Sequence, residues 1–308
     1  MSDAQPLVSS FPSAPTIPYA ELRRALVIKL RHHGDVLLTS PVISALKAQA
    51  PQCEVDALIY SDTAPMLEGH PDLAQLHLID RRWKKQSVFT QARAEWRLLQ
   101  ALRSRQYDLV IHLTEHRRGV WLTRLLKPRW SVAQRRSGAE KFWNKTFTHL
   151  VSYPRNALRH TVEKNLDALR RIGIHPVPED RKLTLVPGAA AEQRVEGLLI
   201  RHGLTTGNFI HVHPGSRWLF KCWPPESMAA LIDQLYYSGY ALVLTGAPDP
   251  AEIAMMAQIK SRIHVPVTDL SGQLTLKELA ALTHRAKLFV GVDSAPMHMA
   301  AAMGTPLV

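Results

Sequence analysis

The chain has 308 residues, 46% of them hydrophobic, two cysteines and a formal net charge of +12. That length suits two domains, each able to bury its own core; there is no uninterrupted run of the ~18 apolar residues that a membrane helix needs. Cys53 and Cys222 lack metal-ligand spacing and fit a reducing cytoplasm rather than a disulfide framework.

Residues 4–19 are rich in Pro, Ser and Ala, without a basic start or an apolar stretch. They read as a disordered lead-in, not a signal peptide, and the lead-in is drawn at residues 1–22. Strands are expected at 25–30, 54–60, 76–79 and 107–113, and helices at 36–50, 91–105, 117–126 and 160–172. This alternation predicts an α/β fold with a mostly parallel sheet. Residues 174–190, with Pro176, Pro178, Pro187 and Gly188, read as a linker. The pattern then restarts: helix 189–202, strand 209–213, helix 225–238, strand 240–245, helices 249–261 and 275–285, strand 287–292. The expected domains are therefore 23–185 and 186–308.

Charge divides the chain. Residues 81–171 carry 22 Lys+Arg against 6 Asp+Glu, a net of +16, and the remainder is at −4. A patch of that kind attracts a polyanion: nucleic acid, an anionic membrane surface or a phosphorylated substrate.

Three loops at strand ends hold the chemistry. The first is Arg31-His32-His33-Gly34-Asp35, where Gly34 is expected to take strained backbone angles and Asp35 to stand at a helix start. A lone acid there is ordinarily only a cap. A second unit, Asp293-Ser294-Ala295-Pro296-Met297-His298, follows a strand and opens an Ala-rich helix. Ser294 or Ala295 can cap it, Pro296 fits its first turn, and free N–H groups with His298 suit a phosphate. The third is Pro214-Gly215-Ser216-Arg217-Trp218-Leu219-Phe220-Lys221-Cys222-Trp223. Here Ser216 offers a hydroxyl and Lys221 a point charge, with Trp223 packing beneath to hold Lys221. Thr245-Gly246-Ala247 adds a small-residue turn, and Asp249 or Glu252 could accept ribose hydroxyls. His211 and His213 share a strand face and read as structural. GxGxxG after the first strand, GxxxxGK[ST], Asp-x-Asp, HExxH and CxxC are all absent, which removes the usual signals of a dehydrogenase, a P-loop NTPase or a metal site.

From about Arg24 to Val308 the chain resembles the lipopolysaccharide core heptosyltransferases, glycosyltransferase family 9. The pieces that carry the likeness are Val27–Pro41, Ser216–Trp223, Ser271–Leu276 and Gly291–His298, most like the heptosyltransferase III branch. The resemblance implies a GT-B fold: two Rossmann-like domains facing a cleft, acceptor in the first, nucleotide sugar in the second. It implies inverting, metal-independent transfer of L-glycero-D-manno-heptose from ADP-heptose to an inner-core heptose of lipopolysaccharide, with no cofactor. Asp35 becomes the catalytic base. The implied donor contacts are Ser216, Lys221, Thr245, Gly246, Glu252, Leu274 near the adenine, Asp293, Ser294, Ala295 and His298. Many relatives have Gly where Ala295 stands. Arg117, Arg118, Lys141 and Lys145 are candidate acceptor contacts on the basic side. Relatives continue beyond Val308, which implies a C-terminal part truncated within a strand.

The chemistry of the residues fits that reading. One carboxylate takes the acceptor's proton, and positive charge with oriented N–H groups stabilises the departing ADP. Partners implied are ADP-heptose, a lipid A–core acceptor and the anionic inner membrane, held peripherally from the cytoplasmic face by charge rather than insertion, with no nucleic acid. Two alternatives stand beside it: an inactive truncated homologue that still binds ADP-sugar or an anionic surface, and a basic nucleic-acid-binding protein.

Overall fold

The structure, a computed structural model, describes residues 16–136, 141–153 and 158–308. Most of the expected lead-in lies outside these residues, but its end does not behave as a lead-in. Ile17 is buried and donates its N–H to Ile172 O at 3.1 Å, and Leu22 is fully enclosed. Two apolar side chains in this short stretch suffice to fix it to the core, so the ordered chain begins before residue 23.

Nearly all of the expected elements form, and both sheets are parallel. The first has six strands: β1 (Arg24–Ile28), β2 (Glu54–Tyr60), β3 (Leu73–Ile79), β4 (Leu109–His112), β5 (Trp130–Gln134) and β6 (His149–Val151). Their spatial order is β3-β2-β1-β4-β5-β6. The second contains β7 (Phe209–His213), β8 (Ala241–Leu244), β9 (Thr268–Asp269) and β10 (Leu288–Gly291) in the order β10-β7-β8-β9. Both orders reverse direction beside their first strand: between β1 and β4 in one sheet, between β7 and β10 in the other. Such reversal points open a crevice outside the carboxyl ends of the strands.

The helices between strands are α1 (His33–Leu37), α2 (Ser40–Gln49), α3 (Val88–Ser104), α4 (Arg117–Leu126), α5 (Lys141–Asn144) and α6 (Thr161–Arg170). Around the second sheet run α7 (Ala189–Arg201), α8 (Pro225–Tyr237), α9 (Pro250–Lys260), α10 (Leu276–Arg285) and α11 (Ala295–Met303). Period-two alternation distributes β1 between two layers. Ala25 and Val27 pack with Val42, Ile43 and Leu46 of α2 and Leu166 of α6, while Leu26 and Ile28 pack with Leu98 and Leu102 of α3 and Leu122 of α4. In the second sheet Ile210 and Val212 face α8 and α9, and Phe209 faces α7 and α10. The α2 layer also takes in Leu279 and Ala280 of α10 and Met299 of α11, so one apolar cluster runs from the first sheet to helices of the second. Lys277 of α10 adds polar ties, donating to Glu68 O at 2.7 Å and to Val186 O.

Two expectations about the first loop are corrected. The single helix 36–50 is two, because Thr39 and Ser40 turn their hydroxyls back onto Val36 O and Leu37 O and Pro41 starts a new first turn. Gly34 lies inside α1 and is not among the residues with positive φ. A different constraint acts on it, described below.

Candidate active site

Parallel strands deliver their chemistry to one edge, and both reversal points do so here. After β1 comes α1 with Asp35; after β7 comes the loop 214–223; after β10 comes the start of α11. These three segments meet. A Cβ on Gly34 would stand 2.9 Å from His298 Cδ2 and 3.7 Å from Ala295 Cα. The glycine is therefore needed for close approach of α1 to α11 rather than for a strained turn. On the other flank His32 accepts from Arg217 Nη1 at 2.9 Å through Nδ1. Burial, then the Arg217 charge, holds the His32 imidazole below its ordinary value.

Asp35 is half-buried on the wall of a cavity of about 150 Å3, beside Lys29, His112, Thr114, Tyr153 and Asn165. Lys29 is the residue that the motif reading missed. Its side chain is enclosed, donating to Leu113 O at 3.1 Å and Asn165 Oδ1 at 3.3 Å. Burial pulls its ammonium down to about 8, opposed by the Asp35 charge. A lysine inside the otherwise apolar run Ala25–Leu30 was the available signal. His112, fully enclosed at the end of β4 and edge-on to Trp143, is pushed by burial down to about 3 and is neutral.

On the facing side Lys221 donates to Asp293 Oδ2 at 2.6 Å and to Asp293 O at 3.2 Å, joining the 214–223 loop to the α11 turn. That contact holds the Asp293 carboxyl below its usual range. It also replaces the expected support from Trp223, which is 54% exposed instead of lying under the loop. Ser294 precedes α11 in extended backbone, yet its hydroxyl caps nothing. Ser294 Oγ is buried with no hydrogen-bond partner among the described residues. Buried polar atoms normally find a partner, and this hydroxyl stands at the start of α11. Ser216 is buried and accepts from the Trp218 N–H at 3.2 Å. Burial lowers His298 as well, while Asp293 and Asp35 both oppose the shift, so the ring senses acids from both sheets.

Other expected contacts are used internally. Thr245 Oγ1 lies 2.6 Å from His211 Nε2 and 2.8 Å from His213 Nδ1, and His211 Nδ1 is 3.0 Å from Thr283 Oγ1. Because Thr283 donates to Leu279 O, the chain of bonds has one direction: His213 N–H to Thr245, Thr245 O–H to His211, His211 N–H to Thr283. Both imidazoles are neutral, His213 lowered by burial to about 4. Asp249 caps α9 through the Ala251 N–H at 3.0 Å. Glu252 accepts from the Ala247 N–H at 3.1 Å, and a Cβ on Gly215 would strike its carboxylate, so it braces two loops at once. Burial raises its carboxyl. A Cβ on Gly246 would press Met256 at 3.2 Å, and Leu274 packs half-buried between two apolar clusters.

The four basic candidates separate. Arg117 and Lys141 begin α4 and α5 at the same sheet edge as Asp35 and are exposed. Arg118 is paired with Glu95 of α3. Lys145 lies in a depression of about 220 Å3 with Lys127, Ser131 and Thr148. Those residues sit where β5 and β6 begin, at the opposite edge of the sheet, so Lys145 is not brought to Asp35. Among the described residues no three His, Cys, Asp or Glu side chains converge as a metal site.

An acid and a lysine-supported helix start meet at the carboxyl edges of two parallel sheets, the edge at which open α/β sheets bind ligands. The chain belongs to glycosyltransferase family 9 (heptosyltransferase), whose profile matches residues 95–308. It is similar to lipopolysaccharide heptosyltransferase 3 of Escherichia coli, at 38% identity over 91% of this chain and 80% of that protein. The fold is that of the family 9 glycosyl transferase from Veillonella parvula DSM 2008, with a TM-score of 0.81, 22% identity and coverage of 92% of this chain and 79% of that one. E. coli heptosyltransferase WaaC, solved with ADP-2-deoxy-2-fluoro heptose, gives a TM-score of 0.70 at 22% identity, covering 92% and 87%.

Proposed function

We propose that this chain moves L-glycero-D-manno-heptose from ADP-heptose to an inner-core heptose of lipopolysaccharide, in a GT-B arrangement with an acceptor lobe that takes in Ile17 and Leu22 and ends at 185, and a donor lobe 186–308. The approach of Gly34 to His298 and Ala295 carries the reading, since it sets Asp35 beside the α11 helix start. The likeness to lipopolysaccharide heptosyltransferase 3 supports the acceptor class, and the ligand solved with WaaC supports the donor class.

The acceptor hydroxyl gives its proton to Asp35 as its oxygen attacks the anomeric carbon from the face opposite the diphosphate. The bond from that carbon to the diphosphate oxygen breaks, its electron pair leaves with ADP, and the configuration inverts. Lys221, Ser216, the Ser294 hydroxyl, His298 and the N–H groups at 293–295 receive the negative charge, without a metal ion. Lys221 is poised for this by Asp293, from which the diphosphate draws it away. Thr245, Gly246, Glu252 and Leu274 shape the nucleoside end, with Glu252 nearest to a ribose role. Arg117 and Lys141 meet acceptor phosphates, and Arg118 is occupied by Glu95.

Incubation with ADP-heptose and a heptose-deficient core acceptor should release ADP. Asp35→Asn, which keeps the shape and removes the base, should lower that release by roughly 10²–10⁴-fold with the fold unchanged. Undiminished turnover in the variant would refute Asp35 as the base.

A further inference from the structure

The helices α3, α4 and α5 cover one face of the six-stranded sheet, Leu98, Leu102 and Leu122 filling one cluster beneath them and Val120 and Trp143 another. Their outer sides are not simply polar. Phe89 is 88% exposed, Trp96 58%, Trp121 56% and Phe142 43%. Phe89 and Trp96 are seven residues apart, two turns along one stripe of α3.

Side chains tie the three helices together along this face, among them Arg118 of α4 with Glu95 of α3. Trp121 and Phe142 have ring centroids 5.0 Å apart, Arg124 lies 4.2 Å over Phe142, and Arg103 Nε donates to Leu125 O at 3.4 Å. Arg93, Arg97, Arg117 and Lys141 stand exposed among the rings. Helices that follow parallel strands start at the carboxyl edge, so Phe89, Arg117 and Phe142 stand at the edge that holds Asp35.

We infer that this outer face of α3–α5 is a bilayer-docking surface. Its aromatic rings enter the interfacial layer of an anionic membrane, and its arginines pair with lipid phosphates. Rings with apolar bodies beside cations are what such a layer holds, each contributing at a different depth. A second copy of the chain fits poorly, because it would set the exposed Arg93, Arg97, Arg117 and Lys141 against their own copies. Charge alone, the sequence expectation, leaves four exposed rings without a use. The inference rests on the proposed function only in taking the acceptor to be lipid-linked, which places the cleft edge against the membrane that carries it.

The test is co-sedimentation of the full chain with phosphatidylethanolamine–phosphatidylglycerol vesicles, phosphatidylcholine vesicles and duplex DNA, at low and high salt, with and without Phe89→Ser/Trp96→Ser. Docking predicts binding to the anionic vesicles that survives in part at high salt, and quenching of tryptophan fluorescence by brominated lipid. It also predicts a loss of ~10-fold in partition for the double variant, whose turnover on a soluble, lipid-free core acceptor should match wild type. Equal partition of the variant, no quenching, dimerisation through this face, or binding to DNA alone would overturn it. Absent turnover of the wild type on the soluble acceptor would instead count against the proposed function and leave docking standing.

Discussion

Lys29 is the residue whose behaviour is least like its type. Its ammonium is enclosed with Asp35 on the wall of one cavity, and burial brings it from 10.5 to about 8. Between those two values the unfolded chain binds more protons than the folded one, so this group makes stability rise with pH across that window. Melting temperatures of wild type and Lys29→Met, followed from pH 7 to 10, should therefore show wild type gaining on the variant above pH 8; parallel curves would contradict the burial. Asp35 and His298 could be picked from the sequence because each stands in a helix start soon after a strand, and Lys221 because it is the one charge among Trp218, Leu219, Phe220, Cys222 and Trp223 in the loop after β7. Lys29 left a signal, a charge inside an apolar run, but its place beside Asp35, like that of His112 at the end of β4, depends on what later segments pack around it.

At the scale of elements, α1 and α11 are held in register by an absence. Gly34→Ala would set a methyl group 2.9 Å from His298 Cδ2. Either the imidazole swings away or the two helices part, and the turnover rate should fall by roughly 10-fold or more while the melting temperature changes little. If Gly34→Ala turns over as wild type, the contact does not matter to the reaction. The buried strands β1, β2 and β10 could be read from the sequence because apolar side chains dominate each of them, and β7 because Phe209, Ile210 and Val212 do so alongside its two histidines. Strands β5, β6 and β9 and the helix α5 could not be read. β6, β9 and α5 have only two to four residues, and β5 mixes polar with apolar side chains (Trp130-Ser131-Val132-Ala133-Gln134), so neither length nor an apolar run marks them, and the strands' pairing is set by neighbours across the sheet. The break between α1 and α2 escaped for a related reason: Thr39 and Ser40 fit a helix by apolar spacing and end it by hydroxyl bonds to the backbone.

At the scale of the whole molecule, the repeated α/β pattern told of two parallel sheets, and both form. That Asp35 and the 293–298 turn would face each other was expected from the sequence; what brings them together, Met299, Leu279 and Ala280 joining the core of the first sheet, was not legible there. In the proposed reaction an acid from one sheet and a diphosphate cradle from the other act on the same sugar carbon. The most direct measurement is a crystal structure of this chain with an unreactive fluorinated ADP-heptose. The account predicts the diphosphate between Lys221 and the Ser294–His298 helix start, with room for one hydroxyl oxygen within about 3–3.5 Å of both the anomeric carbon and the Asp35 carboxylate. A diphosphate bound away from Lys221 and α11, or an anomeric carbon facing away from Asp35, would contradict it.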